Sequence, residues 1–386
     1  MDARTNPYAP GAGFRPPLIA GRDREIESYS VLLDRLIRGN SAKSMIVTGL
    51  RGVGKTVLLN AFEDTSIERD WIAEVLELDE HSSFPAAIAR CTRKALLELK
   101  PTKKLAGRVR SALGSLGTFY LKDPNGFELH YAPPASASQD ALGEDFVDLL
   151  VALGEAAEAK ERGVAFLFDE VQYVSAREFG PFVVGLHRIN QRALPITCVA
   201  AGLPSLPALA GRAKSYAERM FDYPRIDRLA KAHAHQALAN PARNHGVAWD
   251  TDALDHVFEQ TSGYPYFLQE WGKYVWDVAK DGRITLADAR EGGRIAQDRL
   301  DEGFFQVRFE RATKAERAFF YAMAACKGPP YSIAEVTRAL GKKDQRSLSM
   351  RRNSLIRKGL IYAPEHGLID YTVPRFAEYL ARQRPA

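Results

Sequence analysis

The spacing of apolar positions divides the chain into stretches of different character. Up to about residue 229, short unbroken apolar runs at 44–48, 71–78, 163–168, 195–201 and 221–226 are separated by segments with helical spacing. Runs of this length without polar alternation suit strands buried on both faces of a parallel sheet. The 21–39 segment, with Ile26, Leu32, Leu33 and Leu36 near helical spacing, predicts a helix, as does 143–163. Strand and helix in alternation specify an α/β fold with a doubly wound parallel sheet. An insertion spans about 94–142. It is basic at "LELKPTKKLAGRVRSALG" and then reads as a hairpin turning near Asn125-Gly126.

From 230 to about 310 the pattern is helical throughout, which predicts a helical lid. Three further helical signals, at 314–325, 332–340 and 347–358, precede short strands in "GLIYAPEHGLIDYTV". That order is the winged helix-turn-helix arrangement. Residues 1–18 are rich in Pro and Gly and are expected to form a flexible arm. The expected organisation is an arm (1–18), an α/β core (19–229), a helical lid (230–310) and a winged helix-turn-helix domain (311–386).

The joint between the first strand and its helix carries chemistry. "GLRGVGKT", from Gly49 to Thr56, matches G-x-x-x-x-G-K-[ST] in full. Through Arg51, Gly52, Val53 and Gly54 the glycines let the backbone curl so that successive N–H groups face phosphate oxygens. The helix opening at Lys55, Thr56 and Val57 adds its unsatisfied donors and positive dipole end. Lys55 brings a point charge to the β- and γ-phosphates, and the Thr56 hydroxyl can ligate Mg²⁺. Such a P-loop needs an acidic partner at the end of another buried strand. "GVAFLFDEVQ" supplies Asp169 to hold the metal and Glu170 to orient and deprotonate an attacking water. ATP or ADP with Mg²⁺ is the cofactor set these residues imply, and ATP hydrolysis the reaction.

Composition narrows the setting. The 386 residues are 46% hydrophobic and 26% charged, ordinary for a globular chain. Three cysteines (Cys91, Cys198, Cys326) without ligand spacing argue against a zinc site or a disulfide framework. The N-terminus lacks an apolar h-region and no run of 18 apolar residues occurs, so a cytoplasmic location is expected. Residues 312–386 carry 14 Lys/Arg against 6 Asp/Glu, an excess of 8; with a chain net of +5, the remainder is −3. Arg346, Arg351, Arg352, Arg357 and Lys358 suit phosphate contacts with double-stranded DNA, although winged helices also dock proteins. His233 and His235 lie two apart in a helical stretch and diverge, so they do not suggest a metal site. The aromatics of 304–321 are expected to join lid to C-terminal domain.

Six stretches, "GRDREIE", "GLRGVGKT", "LFDEVQ", "AGLPSLP", "KSYAERMF" and "TSGYPYFLQEWG", together resemble the AAA+ and STAND superfamily of P-loop ATPases. Within it the similarity is to the origin-recognition and cell-division-control initiators and their bacterial and archaeal relatives. The resemblance implies that Ile19, Gly21 and Arg22 line the adenine pocket. It also implies that Arg219, with Arg225 as a weaker match, is an arginine finger for a neighbouring copy, and that Gly263, Tyr264 and Pro265 form the nucleotide-facing turn of STAND proteins. The family's polar sensor at the end of the fourth strand is missing from "TCVAAG", where Thr197 is the nearest hydroxyl. No arginine stands in the usual second-sensor place. The expectation is an ATP-binding protein with slow or regulated hydrolysis that acts as a conformational switch, on DNA or in a homo-oligomer. A non-hydrolysing signalling or defence scaffold with a protein-binding winged helix is the alternative.

Overall fold

The computed structural model describes residues 1–11, 13–116, 118–122, 128–132 and 139–383. Helix α1 (Asp23–Ile37) leads into β1 (Ser44–Thr48), and α2 (Lys55–Glu68) follows. Next come β2 (Ile72–Glu77), α3 (Phe84–Leu99), α4 (Lys103–Leu116), the antiparallel pair β3 (Thr118–Lys122) and β4 (Glu128–Ala132), and α5 (Gln139–Glu158). The segment then runs through β5 (Val164–Asp169), α6 (Ala176–Gln191), β6 (Ile196–Gly202), α7 (Leu206–Ala213), α8 (Ala217–Met220) and β7 (Phe221–Asp222). Strands β2, β5, β6, β1 and β7 lie side by side in that order, each pair parallel. This is the expected parallel α/β core.

Alternate residues of the central strands feed two apolar layers. Ala165 and Leu167 of β5 face a layer containing Leu32, Leu33, Leu58 and Leu59 of α1 and α2. Val164, Phe166 and Phe168 face Phe84, Phe146, Phe179 and Phe182 on the other side. The first layer continues without a break into the residues beyond β7.

Some expectations need correction. The strand expected at 221–226 stops at Asp222, because Pro224 has no N–H to continue a ladder. Its carbonyl still accepts the Thr48 N–H at 2.9 Å, and a single bridge joins Thr48 to Arg225. The expected hairpin is present as β3 and β4, while its Asn125-Gly126 turn lies outside the described residues.

Beyond β7 come α9 (Lys231–Arg243), β8 (Ala248–Trp249), α10 (Thr251–Thr261), α11 (Pro265–Val278), β9 (Arg283–Ile284), α12 (Leu286–Arg299), a π-helical turn (Leu300–Phe305) and α13 (Gln306–Glu310). The stretch expected to be wholly helical is thus interrupted by β8 and β9, a short parallel pair. Residues 1–11 do not form the loose arm expected of their composition. Tyr8 is buried, donating its hydroxyl hydrogen to the Leu238 carbonyl and accepting from Trp249 Nε1 at 2.9 Å. Asn6 Nδ2 donates to the Lys273 carbonyl at 3.0 Å. An aromatic ring whose polar tip finds both partners anchors the segment along α9 and α11.

The last segment holds α14 (Lys314–Ala324), β10 (Tyr331–Ser332), α15 (Ile333–Ala339), α16 (Ser349–Arg357), β11 (Ile361–Tyr362), β12 (Leu368–Tyr371) and α17 (Phe376–Arg382). Its strands form an antiparallel sheet in the order β10, β12, β11. Phe304 stacks on Tyr266 of α11 at 4.8 Å, and Phe305 stacks on Tyr379 of α17 at 5.3 Å. These rings join the helical stretch to the C-terminal segment, as their spacing suggested.

Candidate functional site

The loop between β1 and α2 sits at the carboxyl ends of the parallel strands, the usual edge for a ligand crevice. Gly52 (φ 84°) and Gly54 (φ 94°) adopt left-handed backbone that other residues resist, and α2 begins immediately at Lys55. Lys55 is buried, and its ammonium donates to the Gly49 and Leu50 carbonyls, each at 3.1 Å. Burial pulls its pKa down, while Glu170 and Asp169 oppose that shift. Thr56 Oγ1 donates to Asp169 Oδ2, and Asp169 Oδ1 accepts the Glu170 N–H at 2.8 Å. Burial raises the Asp169 pKa against the Thr56 hydrogen bond and the Lys55 charge. The loop and the acidic end of β5 therefore meet, although β6 lies between their strands.

Glu170 has φ 55°, a left-handed conformation that costs a non-glycine residue about 1 kcal/mol. The turn brings its carboxylate between two donors. Gln172 Nε2 donates to Glu170 Oε2, and Gln172 Oε1 accepts the Leu203 N–H at 3.1 Å, just past β6. On the other side the Arg51 guanidinium stands 3.7 Å from Glu170 and donates to Tyr173 Oη at 3.0 Å. Glu77, opposite Asp169 in the β2–β5 register, adds a third carboxylate. Its pKa is raised by burial and then by Asp169 and Glu170.

A cavity of about 420 Å³ opens over the loop. Ile19, Arg22, the loop from Arg51 to Thr56, Val57, Glu170 and Pro265 all line it. Asp169 lies behind Thr56, almost wholly buried. Gly21 stands outside the lining, against the His233 ring of α9. Arg22 secures the wall by donating to the Val53 carbonyl at 3.2 Å and to the Asp227 carbonyl.

The opposite wall comes from later chain. Pro265 opens α11, as the turn motif implied, and the Tyr266 N–H donates to the Gly52 carbonyl at 3.2 Å. The Tyr264 hydroxyl donates to the Arg51 carbonyl. The C-terminal segment reaches the same loop: the Arg51 N–H donates to the Thr372 carbonyl at 3.1 Å. Arg308 also lines the cavity, its guanidinium 3.8 Å above the Phe304 ring and donating to the Phe304 carbonyl at 2.7 Å. Burial, and then the charge of Arg51, pull its pKa down to about 10. Arg308 and Gln172 escape sequence reasoning, because one hides in an aromatic core stretch and the other is merely two residues past Glu170.

Other candidates lie elsewhere. Arg219 is exposed in α8, beside the start of β1 and so at the far end of the sheet from the loop. Arg225 pairs with Thr48 at the loop end. Thr197 stands in the first half of β6, 3.4 Å from Ser44 Oγ and away from the cavity. Lys358, expected among the DNA-facing cations, is tied instead to Glu316 at 2.7 Å. His235 faces Asp255 at 3.1 Å.

The contact between the Thr56 hydroxyl and the Asp169 carboxylate offers the hard oxygen donors that Mg²⁺ takes from a protein beside a phosphate. Residues 19–199 match the AAA ATPase domain family. The chain is a P-loop ATPase, distantly related to the AAA+ group. Residues 302–380 of this ATPase match a second family, described as a domain of unknown function (DUF8462). No curated protein matches it in sequence. Its fold is similar to that of a Walker-type ATPase of Pyrococcus abyssi, with a TM-score of 0.55 at 15% identity, covering 95% of this chain and 97% of that one. It is also similar to the ORC2 protein of Aeropyrum pernix. The ADPNP-ADP complexes give a TM-score of 0.53 at 13% identity over 96% of each chain. The ADP form gives 0.53 at 13% over 99% of this chain and 97% of that chain. Among the described residues of the ATPase, no helix is long and apolar enough to cross a membrane.

Proposed function

We propose that the ATPase binds ATP with Mg²⁺ at the β1–α2 loop, hydrolyses it slowly or under regulation, and uses nucleotide state to set the placement of its parts. Those parts are the core (19–229), the helical lid (230–310) and a C-terminal winged helix-turn-helix domain (311–386). The observation that carries this reading is that lid and C-terminal segment both bond to the loop backbone, through Tyr266 to Gly52 and through Arg51 to Thr372. Anything that moves the loop strains both bonds.

In this scheme the loop amides and Lys55 receive the phosphates, Lys55 exchanging two carbonyl partners for phosphate oxygens. Thr56 and Asp169 would hold the metal, which supplies charge neutralisation on the transferred phosphoryl group. Glu170 orients and deprotonates the attacking water, and Arg51 with Gln172 fixes its carboxylate. Arg219 stands too far from its own cavity to serve it, so its role is assigned to a neighbouring copy in a homo-oligomer.

Gly359 supplies the test of coupling. It has φ 61°, and a Cβ added there would lie 2.6 Å from Arg51 Nη2. Gly359→Ala is therefore expected to push Arg51 off Glu170. Loosening the carboxylate that Arg51 holds is expected to lower turnover by up to about tenfold, the effect of losing about 1.4 kcal/mol of positioning. Unchanged steady-state hydrolysis would count against control by the C-terminal segment.

For the output, the basic surface of the C-terminal domain is proposed to meet DNA phosphates through Arg346, Arg351, Arg352 and Arg357. Duplex DNA affinity is expected to fall with salt, and Arg351→Ala with Arg352→Ala to flatten that log–log slope by about 2. Weak affinity that neither salt nor the substitutions alter would leave protein docking as the domain's use.

A further inference from the structure

A P-loop recognises phosphates and says nothing about the base, so the part of the cavity away from the loop decides which nucleoside triphosphate fits. That part is largely apolar. Leu18, Ile19, Leu229, Ala237 and Leu268 wall it, with Ala9 and Pro10 of the docked N-terminal segment. Arg22 is polar but occupied by the Val53 and Asp227 carbonyls, and one further polar side chain breaks the pattern. Gln269 lines the cavity, and among the described residues neither end of its amide has a hydrogen-bond partner; its Oε1 is covered, so a turn of the side chain brings the acceptor to a ligand.

Its position along α11 is defined by what flanks it. Tyr266, which bonds the loop at Gly52, lies three residues earlier, about 4.5 Å along the helix axis. Gly272, three residues later, packs against the Tyr8 ring, and the next carbonyl, of Lys273, takes Asn6. Gln269 and Leu268 share the face that begins with Pro265, so this face runs from the phosphate-binding loop toward the N-terminal segment.

A primary amide offers a donor and an acceptor side by side, and rotating it exchanges the two. Surrounded by aliphatic walls and left without partners, such a group is costly unless a ligand completes it. We infer that Gln269 is the base-reading residue of this site and selects adenine by pairing with its exocyclic amine and N7. The inference rests on the proposed ATP site and adds the residue that reads the base. The same amide matches adenine because that edge shows one donor and one acceptor. Guanine shows two acceptors there, one of which would face the amide oxygen. The aliphatic walls hold the ring and exclude water that could substitute for the pairing.

The test measures affinities of the full chain for ATP, for GTP and for the purine riboside triphosphate that lacks the exocyclic amine. Wild type is expected to bind ATP about tenfold more tightly than either analogue. Gln269→Leu, similar in size, is expected to lower ATP affinity to that of the amine-less analogue, so that the two bind alike. A wild-type chain that binds all three equally overturns the inference. So does a Gln269→Leu chain that keeps the wild-type ratio between ATP and the amine-less compound. Those outcomes leave the phosphate site standing. Failure of wild type to bind any of the three would instead overturn the nucleotide-site reading, and the base reading with it.

Discussion

Replacement of Lys55 by Ala is expected to abolish ATP binding while leaving the fold intact. The side chain is buried, and among the described residues its ammonium donates only to the Gly49 and Leu50 carbonyls of its own loop. Neither hydrogen-bond partner carries a full charge, and burial pulls the pKa down against the opposing pull of Glu170 and Asp169. A triphosphate would supply the missing negative charge. Each charge-assisted hydrogen bond in such a setting contributes about 1.5–3 kcal/mol. Losing two of them lowers affinity by at least about a hundredfold. The alanine variant sheds the cost of a buried cation, so its melting temperature is not expected to fall. Calorimetric titration with ATP, read beside thermal unfolding, separates the two quantities. Retained affinity in a folded variant would refute the assignment of Lys55.

Replacement of Glu170 by Gln is expected to keep nucleotide binding and remove hydrolysis. The amide preserves the size of the side chain but cannot accept a proton from water. General-base contributions of this kind are about 10²–10⁴-fold. The local geometry supports so large an effect. The left-handed turn at Glu170 and the donors from Gln172 and Arg51 fix one carboxylate oxygen in place. Single-turnover hydrolysis measured with ATP in the dark of any cycling, together with ATP affinity, isolates the chemical step. Turnover equal to wild type would remove Glu170 from the mechanism. A wild type that itself fails to turn over would favour a nucleotide-gated scaffold.

The parts of the site that read directly from sequence are those whose chemistry and local backbone coincide. "GLRGVGKT" needs glycines at Gly52 and Gly54 for the turn and a lysine at the helix start, so motif and geometry are the same fact. The run at 164–169 ends in the carboxylate that Thr56 reaches, because a strand buried on both faces must emerge at the sheet's edge. What stayed hidden depends on partners distant in sequence. The arm at 1–11 reads as loose because Leu238 and Trp249, which receive Tyr8, lie more than two hundred residues away. Arg308 and Gln269 look like ordinary helical positions until the chain closes over the loop. The resemblance assigns Arg219 to a neighbour's site, and α8 sets it, exposed, at the opposite end of the sheet from its own loop. Pro224 cuts short a strand that apolar spacing alone extends to 226.

The central claim is that nucleotide at the β1–α2 loop resets the C-terminal segment through Arg51. Spin labels at the exposed positions Asn40 and Lys343, with Cys326 replaced by Ser, report the distance between core and C-terminal segment. The account predicts that saturating ATP shifts this distance distribution in wild type and leaves it unmoved in Lys55→Ala. An identical distribution with and without bound ATP in the wild-type background would contradict it.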